Sequence, residues 1–470
     1  MSSNNPDLAE GAEGAGESAV TEGTPTGGDT AAAEPATSQA QAPGPETSEA
    51  ARDAVAAPAV AEQAIPAIDP RLLVREQGLR GYLTVFQRRV RSGDLGSMPV
   101  IAALIIIWGT FQGLNSSFLS ASNLSTIAVN IVGTGMIAVG IVFVLLLGEI
   151  DLSVSYVSGL CGAVFAVLSV EHGVTPWLAL VLAILVGTAI GGLQGFFFAK
   201  VGVPAFVVTL AGFLAWNGAM LWVLGKNGTV NLPPNGILYN LYNYTFTDVA
   251  AAYGLAVVAT LVYLGAALRE VNRRRKAGVP YSPLSEVVLK TVLLAIVLFV
   301  SAAVLNQSSG LPLGLVIFLA FVVVLDLVLR RTTYGRQIFA VGGGIEAARR
   351  AGINVPWIRI SVFMMSGTMA AIGGMFLAGQ VNSAQSTQGG GNTLMNAIAA
   401  AVIGGTSLFG GRGKTWSALL GALVIVSIQQ GMYILNLNTA IQYMITGAVL
   451  LAAVVIDSLS RRTQKASGRA

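Results

Sequence analysis

Cysteine and histidine are almost missing: Cys161 and His172 are the only ones in 470 residues. No intrachain disulfide can form, and a metal site built from such ligands has no second or third member. Charge is scarce as well, at 11% of residues against a hydrophobic fraction of 54%. A soluble domain must keep part of its exterior wet whatever its size, so it cannot hide that much apolar side chain. The composition excludes a soluble protein and points to an all-α, polytopic membrane helical bundle. The formal net charge of +4 sums an acidic N-terminal segment and basic loops, so its distribution carries more information than its total.

Residues 1–70 have almost no large apolar side chains and a single basic residue, Arg52. Such a segment buries too little to offset the entropy of ordering, and it reads as a disordered, acidic, Ala/Pro/Gly-rich cytoplasmic tail. It lacks the basic start and short apolar core of an export signal. A basic cytoplasmic flank follows at 71–97, and a basic cytoplasmic tail closes the chain at 458–470, leaving 98–457 as the membrane domain.

A span needs about 20 apolar residues. Candidates fall near 98–114, 124–147, 152–170, 177–199, 203–224, 250–268, 288–305, 311–329, 357–381, 394–409, 416–435 and 438–457. That makes about twelve spans, with 10–12 plausible; the stretch 394–409 is short and Gly-rich, as a broken or re-entrant crossing would be. Basic residues are retained in the cytoplasm. With Arg71, Arg75, Arg80, Arg88, Arg89 and Arg91 before the first span, the N-terminus is inside. Alternate loops then hold Lys200, the run REVNRRRK at 269–276, Arg330, Arg331, Arg336, Arg349, Arg350, Arg412, Lys414, Arg461, Arg462 and Lys465, while the outer loops hold only Lys226. Both termini are therefore expected in the cytoplasm.

Two carboxylates interrupt the apolar stretch LLLGEIDLSVSYVSGL at 145–160. Glu149 and Asp151 are expected at a cytoplasmic turn, where Gly148 breaks the helix and water or headgroups reach the charges. Asp151 followed by Ser153 also fits the start of a helix, with a carboxylate near the positive end of its dipole. The other charges near spans pair at four-residue spacing: Asp326 with Arg330, Asp457 with Arg461, Glu286 with Lys290 and Glu270 with Arg274. Ionisable residues deep in the spans, which a proton relay needs, are nearly absent. The energy for any uphill transport would then come from elsewhere. It does not come from the chain's own GKT at 413–415, because the phosphate-loop pattern requires Gly where Leu408 stands.

The longest cytoplasmic connection, within 330–356, contains EAARRAG at 346–352. Gly342, Gly343 and Gly344 precede it, and Gly352 and Pro356 follow. Glu346 near its start and Arg349 and Arg350 near its end match the helix dipole. A short helix bounded by breakers and held between two spans is a lever for a soluble partner; the plainer alternative is an interfacial helix under the headgroups.

EAARRAG resembles the Glu-Ala-Ala, three residues, Gly pattern of ABC-importer permeases, where this loop docks into the ATPase subunit. GEIDLSVSYVSG, VPAFVVTLAG, YGRQIFAVGGGIEAARRAGI, NAIAAAVIGGTSLFGGRG and ALLGALVIVSIQQGMYIL narrow the resemblance to ribose/xylose-type permeases of bacterial monosaccharide ABC importers. The extra segment near 250–305 is similar to the longer xylose-type layout. Glu149 departs from the family pattern, which usually has Gly there.

The resemblance implies a transport subunit rather than an enzyme, residing in the cell membrane. It implies a cytoplasmic ABC ATPase carrying ATP-Mg, an extracellular or periplasmic sugar-binding protein, a second permease copy and surrounding membrane lipid. No cofactor on this chain and no nucleic-acid partner are expected. Coupling to the ATPase would involve Glu346, Ala347, Ala348, Gly352 and Arg336. Gly148, Glu149, Asp151 and Ser153 would form a structural turn or gate. Amides in or beside spans need partners, so Asn130, Gln194, Asn217, Asn382, Gln385 and Asn396 are candidates either for the pathway or for interhelical hydrogen bonds. A secondary carrier or channel for a small polar solute is the alternative function.

Overall fold

The computed structural model of the protein describes residues 98–466. The expected tail, the flank at 71–97 and residues 467–470 lie outside the described residues, as do the side chains of Asp457 and Arg461. Among the described residues nine helices are long and apolar enough to cross a membrane. They are α2 (Ala121–Leu146), α3 (Val154–Ala166, extended by a wider turn to Glu171), α4 (Pro176–Phe196, extended to Val201), α5 (Ala205–Leu224, extended to Asn227), α7 (Val249–Lys276), α8 (Leu284–Asn306), α9 (Leu313–Arg331), α12 (Val355–Val381) and α14 (Thr415–Ile434). The other three expected spans are shorter apolar helices: α1 (Met98–Leu114), α13 (Thr393–Ile403) and the apolar part, Thr439–Ala452, of α15 (Thr439–Ala466). The protein is a helical, multi-pass membrane protein.

The α13 crossing is broken, as its glycines suggested. Eleven residues rise only about 16 Å, half of a hydrocarbon core of about 30 Å. The rest is irregular backbone, tolerated at membrane depth only where protein buries it. Here Gln388 lies beside Gly162, and its Nε2 donates to the Gly374 carbonyl oxygen at 2.8 Å.

Strand pairing checks the crossing count. On the outer side β1 (Thr229–Asn231) pairs antiparallel with β4 (Ser383–Gln385), and β2 (Thr245–Phe246) with β3 (Leu311–Pro312). On the inner side the Gly411 N–H donates to the Leu146 carbonyl at 2.9 Å. An odd number of crossings between either pair would put its members on opposite faces of the membrane.

Helix α12 is the centre of the bundle and packs against α2, α3 and α4. Small residues let these backbones approach closely, because lipid supplies no hydrophobic drive between helices and packing must do so. A Cβ on Gly191 would fall on the Phe363 carbonyl oxygen, so α4 has no room for a side chain there. Thr188 and Thr368 share a hydrogen bond of 2.7 Å across the same contact. Each hydroxyl also has a carbonyl of its own helix in reach, so losing the bond leaves little unsatisfied. Thr188→Val is expected to lower stability by about 0.6 kcal/mol, the average for such bonds in membranes; a chemical denaturation series in micelles that shows a loss of several kcal/mol would overturn this.

The intrahelical ion pairs stand as spaced in the sequence: Arg330–Asp326 at 3.0 Å, Lys290–Glu286 at 2.8 Å and Arg274–Glu270 at 2.7 Å. Helices α7 and α8 form a peripheral hairpin, and their spans are the least buried of the nine.

Candidate functional site

The stretch between α2 and α3 corrects one expectation. Glu149 is half-buried, but Asp151 is only 4% exposed and is not at a wet cytoplasmic turn. It meets Ser366, eleven residues into the 27-residue α12. After Leu146 the chain turns at Gly148, where φ is +82°, a left-handed conformation that favours glycine, and the Phe409 backbone packs closely. It then runs back into the bundle before α3 begins. A hydropathy count cannot see this, because some of the polar groups that make burial tolerable come from a distant helix.

Those groups are specific. Asp151 Oδ1 accepts the Ser153 N–H at 3.0 Å and the Ser153 hydroxyl at 2.7 Å, while Oδ2 accepts the Ser366 hydroxyl at 3.0 Å. The Gln194 amide donates to Ser153 Oγ at 2.8 Å, which ties α4 to the same centre. A carboxyl near a bilayer centre costs roughly 2.5–3.5 kcal/mol by insertion scales. Charge-assisted donors and the N-terminal end of α3 offset that cost. Asp151 thus sits at the start of α3, as its sequence context suggested, and it also bonds to α12.

The cytoplasmic connection forms two helices, α10 (Thr333–Gly343) and α11 (Ile345–Arg350). The Thr332 hydroxyl caps α10 by accepting the Gly335 N–H at 3.1 Å. Gly335, Ile338, Val341 and Ala348 face inward and are buried. Arg336, Glu346, Ala347, Arg349, Arg350 and Gly352 are exposed. Glu346 accepts from Arg349 at 3.1 Å with both side chains largely in solvent. The Arg336 side chain donates to Thr333 Oγ1 within its own helix, at 3.0 Å. On the inner face a Cβ at Gly342 would overlap the Leu146 carbonyl, so α10 rests directly on the end of α2. Tyr334 anchors α10 to α12 by donating to Ser361 Oγ at 2.9 Å. Burial pushes its phenol above the usual tyrosine range despite that bond, so it stays a donor.

The six amides do not share one site. Gln194 belongs to the Asp151 centre. Asn130 Oδ1 accepts from Tyr242 at 2.6 Å and from Gln380 at 3.1 Å near the outer end of the bundle. Tyr242, in the short outer helix α6 (Ile237–Asn243), is pushed up to about 12 by burial, with the Gln380 hydrogen bond opposing. Asn382 ends α12 in a left-handed conformation, φ +51°, and donates to the Leu232 carbonyl at 3.3 Å. Gln385 lies in β4 and donates to Ser383 Oγ at 2.8 Å. Asn396 is buried on α13 with an unpartnered Oδ1, and Asn217 is half-buried on α5. Sequence reasoning missed Ser366 and Gln388. Ser366 lies in a run of small residues that reads as packing, and Gln388 lies between segments assigned as spans.

The branched-chain amino acid transport system / permease component family matches residues 123–454. The chain is 34% identical over 374 residues to the xylose transport system permease protein of Escherichia coli (strain K12), covering 79% of this chain and 94% of that protein. It is 34% identical over 378 residues to the xylose transport system permease protein of Haemophilus influenzae, covering 80% and 99%. To the ribose import permease protein of the same organism it is 30% identical over 358 residues, covering 76% and 91%. No solved structure matches the chain.

Proposed function

The chain belongs to the branched-chain amino acid transport system / permease component family, and from that membership we propose that it is the membrane subunit of an ABC importer for a monosaccharide, xylose or a similar pentose or hexose. The observation that carries the proposal is the 34% identity along 94% of a xylose permease. The exposed α10–α11 face held against the membrane bundle supports it mechanically.

In this mechanism the chain binds no cofactor, and a cytoplasmic ATPase carrying ATP-Mg docks on Glu346, Ala347, Gly352 and Arg336. Ala348 points inward and keys α11 to the bundle. A sugar-binding protein delivers cargo to the outer loops, and a second copy of the chain completes the membrane unit within the lipid. Because Gly342 abuts Leu146, movement of α10 displaces the end of α2 and the stretch leading to Asp151. Conformational work passes only if the ATP-bound and ATP-free partner states bind this face differently.

The test is reconstitution in liposomes with the cognate ATPase and binding protein. Uptake of labelled xylose or a related sugar is expected only with all components and ATP. Equal uptake by this chain alone would return the function to a carrier or channel.

A further inference from the structure

The cytoplasmic end of the peripheral hairpin is unlike any other helix end in the described residues. Helix α7 closes with Arg273, Arg274, Arg275 and Lys276 in its last turn. At about 100° per residue, four consecutive side chains point round nearly the whole circumference of a helix. Glu270 pairs with Arg273 at 2.9 Å and with Arg274 at 2.7 Å. Arg275 and Lys276 are exposed, and no ion pair engages them among the described residues. The negative end of the helix dipole tolerates this crown.

Apart from Arg269 and the Glu286–Lys290 pair, the hairpin next to the crown is apolar. Val257, Val258, Leu261 and Val262 of α7, and Leu284, Val288, Leu289 and Val292 of α8, are all exposed large hydrophobics. Tyr281, in the turn between the helices, is exposed as well, in the position of an interfacial aromatic. The hairpin therefore presents a ring of cations directly above a lipid-facing belt. A protein partner touches a helix end from one side, whereas a layer of headgroups surrounds it.

We propose that Arg273, Arg274, Arg275 and Lys276 form a binding site for the phosphate-bearing headgroups of anionic phospholipids in the inner leaflet. Basic clusters immediately cytoplasmic of a span attract anionic lipid additively, and loss of the cluster is expected to weaken retention by roughly tenfold or more. The site is separate from the α10–α11 face, so its test does not depend on what the protein transports.

The experiment exposes the purified full-length chain in detergent to equimolar phosphatidylglycerol and phosphatidylcholine and measures the retained lipids by native mass spectrometry. The wild type is expected to retain phosphatidylglycerol in preference. The quadruple variant Arg273→Gln, Arg274→Gln, Arg275→Gln, Lys276→Gln is expected to approach parity between the two lipids, while Arg349→Gln with Arg350→Gln keeps the preference. The double variant Arg275→Gln, Lys276→Gln breaks no intramolecular pair, so it serves if the quadruple variant fails to fold; it is expected to lose several-fold in preference. No preference in the wild type, or an unchanged preference in the double variant, overturns the proposal. A fall in dimer content with lipid retention unchanged would likewise overturn it, assigning the crown to a contact between copies.

Discussion

Asp151→Ala is expected to cost about 3 kcal/mol of stability and at least tenfold in uptake, and Asp151→Asn to retain most of the first and only part of the second. Alanine removes the acceptor for the Ser153 N–H, the Ser153 hydroxyl and the Ser366 hydroxyl at once. Each buried donor left unpaired costs about 1–3 kcal/mol, and hydroxyls that find a backbone carbonyl recover part of it. Asparagine keeps an acceptor for Ser153, and its amide can donate to Ser366 Oγ, but the negative charge at the start of α3 is gone. That charge contributes about 0.3–1 kcal/mol at a helix N-terminus. The transport loss exceeds the stability loss because Asp151 bonds both the start of α3 and the middle of α12. Thermal unfolding in micelles and uptake in liposomes separate the two effects. If alanine leaves both untouched, the centre is not structural; if both variants fall equally in stability, charge rather than hydrogen bonding is what matters.

Most of the architecture was legible in the sequence because a bilayer enforces it. Long apolar runs and the inside bias of Lys and Arg gave each crossing its place and direction, and the β1–β4 and β2–β3 pairings agree with that parity. Gly404 and Gly405 in the short stretch 394–409 signalled the broken crossing at α13. The exposed α10–α11 face was legible too, since Gly342 to Gly344 and Gly352 bracket a charged helix that no span could hold. What local pattern could not reach was depth. Asp151 reads as a turn residue in one dimension, and only the fold brings Ser366 to it across 215 positions of chain and Gln194 to its neighbour Ser153 across 41. Gln388 was hidden for a related reason: a polar residue in an irregular segment has no periodicity to betray that Gly162 and Gly374 surround it.

The α10–α11 face, proposed above to receive the ATPase, supports the second large effect. Glu346→Lys is expected to reduce ATP-dependent uptake more than tenfold while leaving the fold of the bundle intact. Glu346 is 71% exposed at its side chain and, among the described residues, bonds to Arg349 alone, and substitutions on such surfaces usually change stability by less than about 0.5 kcal/mol. Its charge, however, stands among the exposed bases Arg336, Arg349 and Arg350. Lysine reverses the sign at the positive end of α11 and removes the contact that orients Arg349. The face would then repel any partner surface built to receive an acid among bases, and the loss of association is larger than the loss within the chain. Two measurements distinguish this from misfolding. Co-purification of the ATPase with the variant is expected to fall with uptake, and the thermal midpoint of the isolated variant is expected to match the wild type. Full uptake by Glu346→Lys would remove α11 as the lever and leave the contact of α10 with Leu146 without a driving partner.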